Sequence, residues 1–390
     1  MKSTFLLSIF FFSILSFGQT KLEYALIDRQ ISTIPNSSTH STEDIANYIN
    51  TNFKTDPDKI RAVFYWTASN ITYDITNINV VDYTERPQDK ISKTLKSKKG
   101  LCIHYAEVFN DLSNKTGIQS YIIEGYTKQN GKVATLSHAW CAAKIDSKWY
   151  LFDPTWGAGY VSNGKFFKKL NNSYFKVEPY KMISSHIPFD YLWQFLNYPI
   201  TNQEFYDGKT QTNKSKKYFD FEKELAKYNS FTVVDQVFES AERIQKNGIK
   251  NALILERLEG KKKQLISLRE NTNIEKLNSI VADYNEAIIL LNDFIYYRNN
   301  KFKPTLPDDE IQKMIEKPKE KLIKCQDAIY TVGSVGNENS SNLTALKKSI
   351  NEALGQAEEH DQFVKNYLSK SKIARKSMFT KISWFGIPIN

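Results

Sequence analysis

The spacing of apolar residues changes several times along the first half of the chain, and each change marks an element. After a polar, irregular stretch from about 20 to 40, Ser41 with Asp44 in the first turn predicts a helix with Ile45, Tyr48 and Ile49 on one face. Asp56-Pro57 is a second start signal, a cap followed by proline in the first turn, and Ile60, Val63, Phe64 and Thr67 follow at helical spacing to about Asn70. Residues 74–99 read as a loop leading to Gly100. From Cys102, the residues Ile103, Ala106, Val108, Phe109 and Leu112 form another amphipathic helix, which Gly117 can end. Strand signals then succeed one another: "IQSYIIEGY", a turn at Asn130-Gly131, "HAWCAAKI", a turn at Asp146-Ser147, and "KWYLFD". A helix followed by consecutive antiparallel strands is an α+β arrangement, with the cysteine-bearing helix packed on the sheet.

From about Tyr218 glycine and proline thin out, charge rises, and the apolar period becomes helical throughout. Ile274, Leu277, Val281, Tyr284, Ile288, Leu291 and Ile295 alternate steps of three and four, a heptad stripe that suits an intrachain bundle or self-association through 274–295 equally. Lys317-Pro318 and "GSVGNENSSN" (333–342) are expected to separate helices, with Leu343, Leu346, Ile350 and Leu354 beginning another. The expected organisation is residues 1–18 as a leader, 41–207 as an α+β domain, and 218–380 as a mostly α-helical C-terminal region.

The leader rests on Lys2 ahead of an apolar run from Phe5 to Phe17, closed by Ser16, Phe17 and Gly18. The run is shorter than the ~20 apolar residues a membrane-spanning helix needs, so it reads as a cleaved secretory signal. Export would leave the chain in a periplasm, at the cell surface or outside the cell, and no later segment is apolar enough to span a membrane. Three cysteines, an odd number, exclude a disulfide framework as what holds the exported chain together. A net charge of +10 favours anionic partners such as envelope surfaces. The lysines are scattered among acidic residues, however, and without a compact basic stripe nucleic-acid binding is not expected.

The candidate chemistry begins at Cys102, which sits at a helix start where the dipole and free N–H groups favour thiolate. Lys96, Lys98 and Lys99 precede it. Its base would be His138, which opens the strand "HAWCAAKID", with Asp153 closing the next strand and able to accept from one imidazole nitrogen while the other faces Cys102. Cys141 alternates with Ala139, Ala143 and Ile145 and reads as a buried thiol, and Cys325 shares a helical face with Leu322 and Ile329. His186 reads as a structural hydrogen-bonder. The five histidines and three cysteines do not fall at metal-ligand spacing, no glycine loop cradles phosphate, and no cofactor is expected.

"RAVFYWTASNITYD", "GLCIHYAEVFNDLSNKTGI" and "HAWCAAKIDSKWYLFDPTWGAG" together resemble the transglutaminase-like superfamily, of papain-like fold. The likeness is nearest to its bacterial and kyphoscoliosis-peptidase-type branch, and extends through "YFKVEPYKMISSHIPFDYLWQFLNYPITNQEF". The resemblance implies a catalytic Cys102, His138 and Asp153 triad working on amide bonds of a protein or peptide through a thioester, with Trp66 as a second oxyanion donor beside the Cys102 backbone N–H. Water as acceptor would make it a peptidase or amidase, and a lysine amine a transglutaminase. A catalytically inactive scaffold of the cell envelope is the alternative. His104 stands where family members more often carry a small or acidic residue, and reads as a pocket-rim or surface residue. Cys141 replaces a common asparagine.

Overall fold

The computed structural model describes residues 24–77 and 85–379, together with the backbone of 383–384 and 387–388. The expected leader lies outside these residues. The chain divides into two compact units, one up to Lys262 and one from Lys263. The division falls inside a long helix, Ala252–Asn299.

The first unit opens with α1 (residues 24–32), α2 (Thr42–Asn52) and α3 (Asp56–Asn70). Helix α1 replaces the irregular stretch expected before residue 40. Its apolar residues Tyr24, Ile27 and Ile31 recur at helical spacing, Ile27 and Ile31 are buried, and the Asp28 carboxylate takes both Nε (2.7 Å) and Nη2 (2.6 Å) of the fully buried Arg61. A bidentate ion pair thus adds to an apolar face that already has helical period. Helix α2 starts as expected, with a reciprocal Ser41–Asp44 capping box. After the short strand β1 (Thr72–Tyr73) comes α4 (Pro87–Ser97), a helix inside the expected loop. Its signal is proline at the first helical position followed by Ile91 and Leu95, four apart and both buried. Strand β2 (Lys99–Gly100) and helix α5 (Cys102–Lys115) follow.

The central sheet is antiparallel, in the order β5-β4-β3-β8, with β3 Ser120–Gln129, β4 Lys132–Ile145, β5 Lys148–Phe152 and β8 His186–Pro188. Between β5 and β8 lie a short helix, α6 (Pro154–Ala158), and a hairpin of β6 (Gly159–Ser162) and β7 (Lys165–Lys168). Both expected turns form with positive φ at their central residues: Asn130 48° and Gly131 75°, Asp146 49° and Ser147 65°. That is the backbone twist a two-residue hairpin favours. Along β4, Ala139, Cys141, Ala143 and Ile145 join the cluster that holds Tyr105, Ala106, Val108, Phe109 and Leu112 of α5. Trp140 and Ala142 join another, with Ile123, Leu151 and Leu192. The sheet is therefore covered on both faces. Gly125 lets β8 come close, since a Cβ there would stand 2.1 Å from the Ile187 carbonyl oxygen.

The second unit is a helical bundle. The later part of Ala252–Asn299 packs with Asp308–Ile329 and Gly336–Leu368. Leu277 and Leu291 of the heptad stripe are buried, and Tyr284, Ile288 and Ile295 pack against the intrachain clusters. The expected break at Lys317-Pro318 does not occur: Asp308–Ile329 runs through Pro318. The proline costs about 3 kcal/mol in a helix interior, but Ile311, Ile315, Leu322, Cys325 and Ile329 are buried on either side of it and hold the helix together. The last long helix likewise begins at Gly336, inside the polar stretch expected to separate helices. Among the described residues, no helix is long and apolar enough to cross a membrane.

Candidate active site

Backbone pairing fixes the approach to Cys102. Strands β1 and β2 run parallel, with Thr72 opposite Lys99 and Tyr73 opposite Gly100, and Asp74 N–H donates to the Gly100 carbonyl at 3.0 Å. Gly100 has no room for a side chain, because a Cβ would lie 2.7 Å from His104 Cβ. His104 comes this close to cap the helix: its Nδ1 accepts the Leu101 N–H at 2.9 Å. Burial, reinforced by the Lys90 charge, holds His104 below the usual histidine range, so it is the neutral acceptor this bond needs. It is a half-buried helix cap, a role the pocket-rim or surface expectation did not include, and it does not line the cleft in front of His138. The α5 N-terminus is held further by Tyr105, whose hydroxyl donates to the Ile71 carbonyl at 2.8 Å.

Cys102 is the first residue of α5, where the helix dipole and free N–H groups meet its sulfur. Burial pushes its thiol up, but the hydrogen bond and charge of His138 and a hydrogen bond from the Ala139 backbone outweigh it, and the thiol lies below its ordinary value. His138 lies within β4, which begins six residues earlier than the sequence suggested, and pairs with Gly125 of β3. Its Nε2 is 2.8 Å from Asp153 Oδ2, leaving Nδ1 for the sulfur. The β4–β5 register continues to Cys141 opposite Phe152, so Asp153 would fall opposite Trp140, two residues from His138 and on the same side of the sheet. Burial alone would lower His138, yet the Asp153 carboxylate and the Cys102 sulfur raise it to about 10.

Asp153 is fully buried and saturated with donors. Its Oδ1 accepts the backbone N–H groups of Thr155 (2.9 Å) and Trp156 (3.0 Å), which makes it the cap of α6. Its Oδ2 takes His138 and also His186 Nε2 at 3.2 Å. Burial would raise this carboxyl, but the His138 charge and the hydrogen bonds from both histidines hold it well below the usual range. His138, Asp153 and His186 thus offer three potential metal ligands within 4.8 Å of one another. Sequence spacing could not show this, because β8 brings His186 in from 33 residues downstream. The hydrogen bonds already account for the cluster.

A cleft of about 930 Å³ opens in front of His138. Its walls are largely aromatic and apolar, among them Tyr73, Trp156, Phe166, Leu170 and Tyr174, and the exposed Tyr160 and Val161 of the hairpin stand at its edge. Tyr73 is pushed up to about 12 by burial and then by the Cys102 and Asp153 charges. Trp66 is not among the lining residues. It is fully buried in α3, with Lys98 Nζ 4.9 Å from its ring centroid, and its Nε1 has no hydrogen-bond partner among the described residues. Cys141 is buried, its Sγ 3.4 Å from the Ala106 carbonyl on α5, and burial lifts its thiol well above the ordinary value. Cys325 is buried in the helical unit.

The profile of the transglutaminase-like superfamily matches residues 43–154. Kyphoscoliosis peptidase of Homo sapiens is 32% identical over 159 residues, 39% of this chain and 24% of that protein. Its Mus musculus counterpart is 30% identical over 158 residues, 38% of this chain and 23% of that one. The chain therefore spans about a quarter of the length of these curated relatives. Among solved structures, the periplasmic domain of TgpA from Pseudomonas aeruginosa overlaps 33% of this chain and 47% of its own, at 16% identity and a TM-score of 0.25, too loose to argue from.

Proposed function

We propose, from the membership of this chain in the transglutaminase-like superfamily, that it is an exported thiol enzyme that opens amide bonds of proteins or peptides through a thioester. The observation that carries this reading is the buried His138–Asp153 pair, with Nε2 2.8 Å from Oδ2, beside a helix-start cysteine whose thiol His138 holds below its ordinary value. The thiolate of Cys102 attacks the carbonyl carbon. The carbon–nitrogen bond then breaks, the imidazolium of His138 gives its proton to the departing amine, and a carbon–sulfur bond remains. Asp153 orients the imidazole and stabilises its charge. Water, deprotonated by His138, then releases the acid.

The oxyanion takes the Cys102 backbone N–H as its first donor. Two side chains compete as the second. Trp66 is fully buried in α3 with an indole N–H that has no partner among the described residues, whereas Tyr73 lines the cleft with His138. Replacing each by phenylalanine separates them, since only the true donor loses turnover with KM preserved. Hydrolysis is favoured over transamidation because transamidation needs a site that shields the thioester from water, and the cleft beside His138 is bordered by the exposed Tyr160 and Val161. Incubation with a peptide substrate and a labelled primary amine tests this. Cleavage without label supports the hydrolase, label without cleavage replaces it by a transglutaminase, and neither product with an unreactive Cys102 leaves a binding scaffold. Export rests on the leader at residues 1–18.

A further inference from the structure

We propose that His186 is a positioning residue for the thiol site: as a neutral donor fixed by Ser185, it holds the Asp153 carboxylate in the orientation that aims His138 at Cys102. The inference rests on the thiol reading above and extends it to a second histidine 33 residues beyond the aspartate.

Packing alone does not call for an imidazole here. His186 is 1% exposed, in a box of Trp140 (5.2 Å between centroids), Trp156 (4.5 Å) and Tyr174 (6.1 Å) that an apolar ring would fill equally well. A buried imidazole is costly unless both nitrogens are paired, and both are: Nδ1 with Ser185 Oγ at 2.8 Å and Nε2 with Asp153 Oδ2 at 3.2 Å. The tautomer follows from the carboxylate. Ser185 Oγ also lies 3.3 Å from the Met182 carbonyl. If its proton went there, the ring would have to donate from Nδ1 and would point a lone pair at Asp153. With Ser185 donating to Nδ1, the ring proton sits on Nε2 and faces the carboxylate.

Neutrality matters as much as the hydrogen bond. Burial and the neighbouring His138 charge keep His186 below the usual histidine range. It therefore completes a set of four donors, two on each carboxylate oxygen, without supplying a cation that would cancel the negative charge His138 needs. A lysine or arginine in its place would hold the carboxylate but weaken the imidazolium. The β3–β8 pairing, with Thr127 opposite His186, delivers the ring to this point.

The test is the pH dependence of Cys102 alkylation by iodoacetamide in the full chain, with thermal unfolding followed in parallel, for wild type, His186→Phe, His186→Gln and Ser185→Ala. Phenylalanine keeps the ring and loses the donor, while glutamine restores an N–H. The midpoint is expected to rise by about one pH unit in His186→Phe, a roughly tenfold loss of reactivity at pH 6. His186→Gln should recover at least half of the shift, and Ser185→Ala should shift the midpoint the same way by less. A folded His186→Phe with the wild-type profile overturns the proposal, as do equal shifts in the Phe and Gln variants. If His186→Phe does not fold, an unshifted Ser185→Ala overturns it. A wild-type thiol that reacts only above pH 8 removes the thiol-enzyme reading and this inference with it, whereas a reactive wild type with silent variants removes this inference alone.

Discussion

Two buried aspartates, one in each unit, show how differently the two halves of the chain use a charge. Asp153 is met by two imidazoles and two backbone N–H groups, all from the sheet and the segments beside it. Asp361 of the helical unit is 3% exposed and is met by Lys319 Nζ (2.7 Å), Lys365 Nζ (3.0 Å) and Gln312 Nε2 (3.2 Å). Lysines reach such a carboxylate on flexible stems and keep their heads near water, so Asp361 ties Gly336–Leu368 to Asp308–Ile329 and little else. Rigid donors around Asp153 fix an angle as well as a charge. The difference is between a carboxylate that fastens and one that aims.

The sharpest break between the halves is expected at the nucleophile. Cys102→Ala should lower amide turnover ~10,000-fold or more with thermal unfolding unchanged, while Cys141→Ala and Cys325→Ala retain turnover. Activity surviving in Cys102→Ala would place the chemistry elsewhere. Next come the aspartates themselves. Asp153→Asn should cost ~1,000- to 10,000-fold in kcat/KM, because an amide cannot hold the imidazolium or its tautomer. Asp361→Asn should leave kcat/KM alone and cost about 1–3 kcal/mol in chemical denaturation. A loss of activity in Asp361→Asn without unfolding would dissolve the distinction drawn here.

The pH profile gives a smaller effect with a definite sign. His138 is raised to about 10 in the folded chain, above the ~6.5 of an unfolded histidine. Its stabilising contribution is therefore complete below about 6.5 and lost as pH rises through 10. Asp153 is depressed, so its contribution is present above about 3.9 and lost as pH falls through its folded value. Turnover should rise on the acid side with the lowered Cys102 thiol and fall near pH 10, where the imidazolium that protonates the leaving amine disappears. A falling limb near pH 7 would mean His138 is an ordinary histidine.

The three residues of the triad reading lie on locally coded elements, Cys102 at a helix start, Asp153 just past the end of β5 and His138 inside β4, with the two strands joined by an Asp146-Ser147 turn. What escaped was set by distant contacts. His186 meets Asp153 only through the β3–β8 register, and nothing in "SSHIPFD" announces it. His104 read as a pocket-rim or surface residue, and its capping role escaped because its partner is a backbone N–H, invisible in a residue pattern. Helix α1 was legible in Tyr24, Ile27 and Ile31 at helical spacing, whereas its Asp28–Arg61 pair is a distant contact. Helix α4 was legible in Pro87 and the Ile91–Leu95 pair, inside the stretch read as a loop.

Pro318 offers the smallest test and the one most confined to the helical unit. Its ring removes the N–H that would have bonded the Met314 carbonyl four residues back and crowds that carbonyl, so the helix persists there against local preference. Pro318→Ala restores the N–H and gains up to about 3 kcal/mol of helix preference. The ring is buried between Ile315 and Leu322, and losing its methylenes gives back about 1–2 kcal/mol. The expected net is a stabilisation of about 1 kcal/mol in chemical denaturation, with the pH profile of Cys102 alkylation unmoved. Destabilisation instead would mean that the packing of Asp308–Ile329 is fitted to the proline. A shifted alkylation profile would mean that the fastening half of the chain reaches the aiming half.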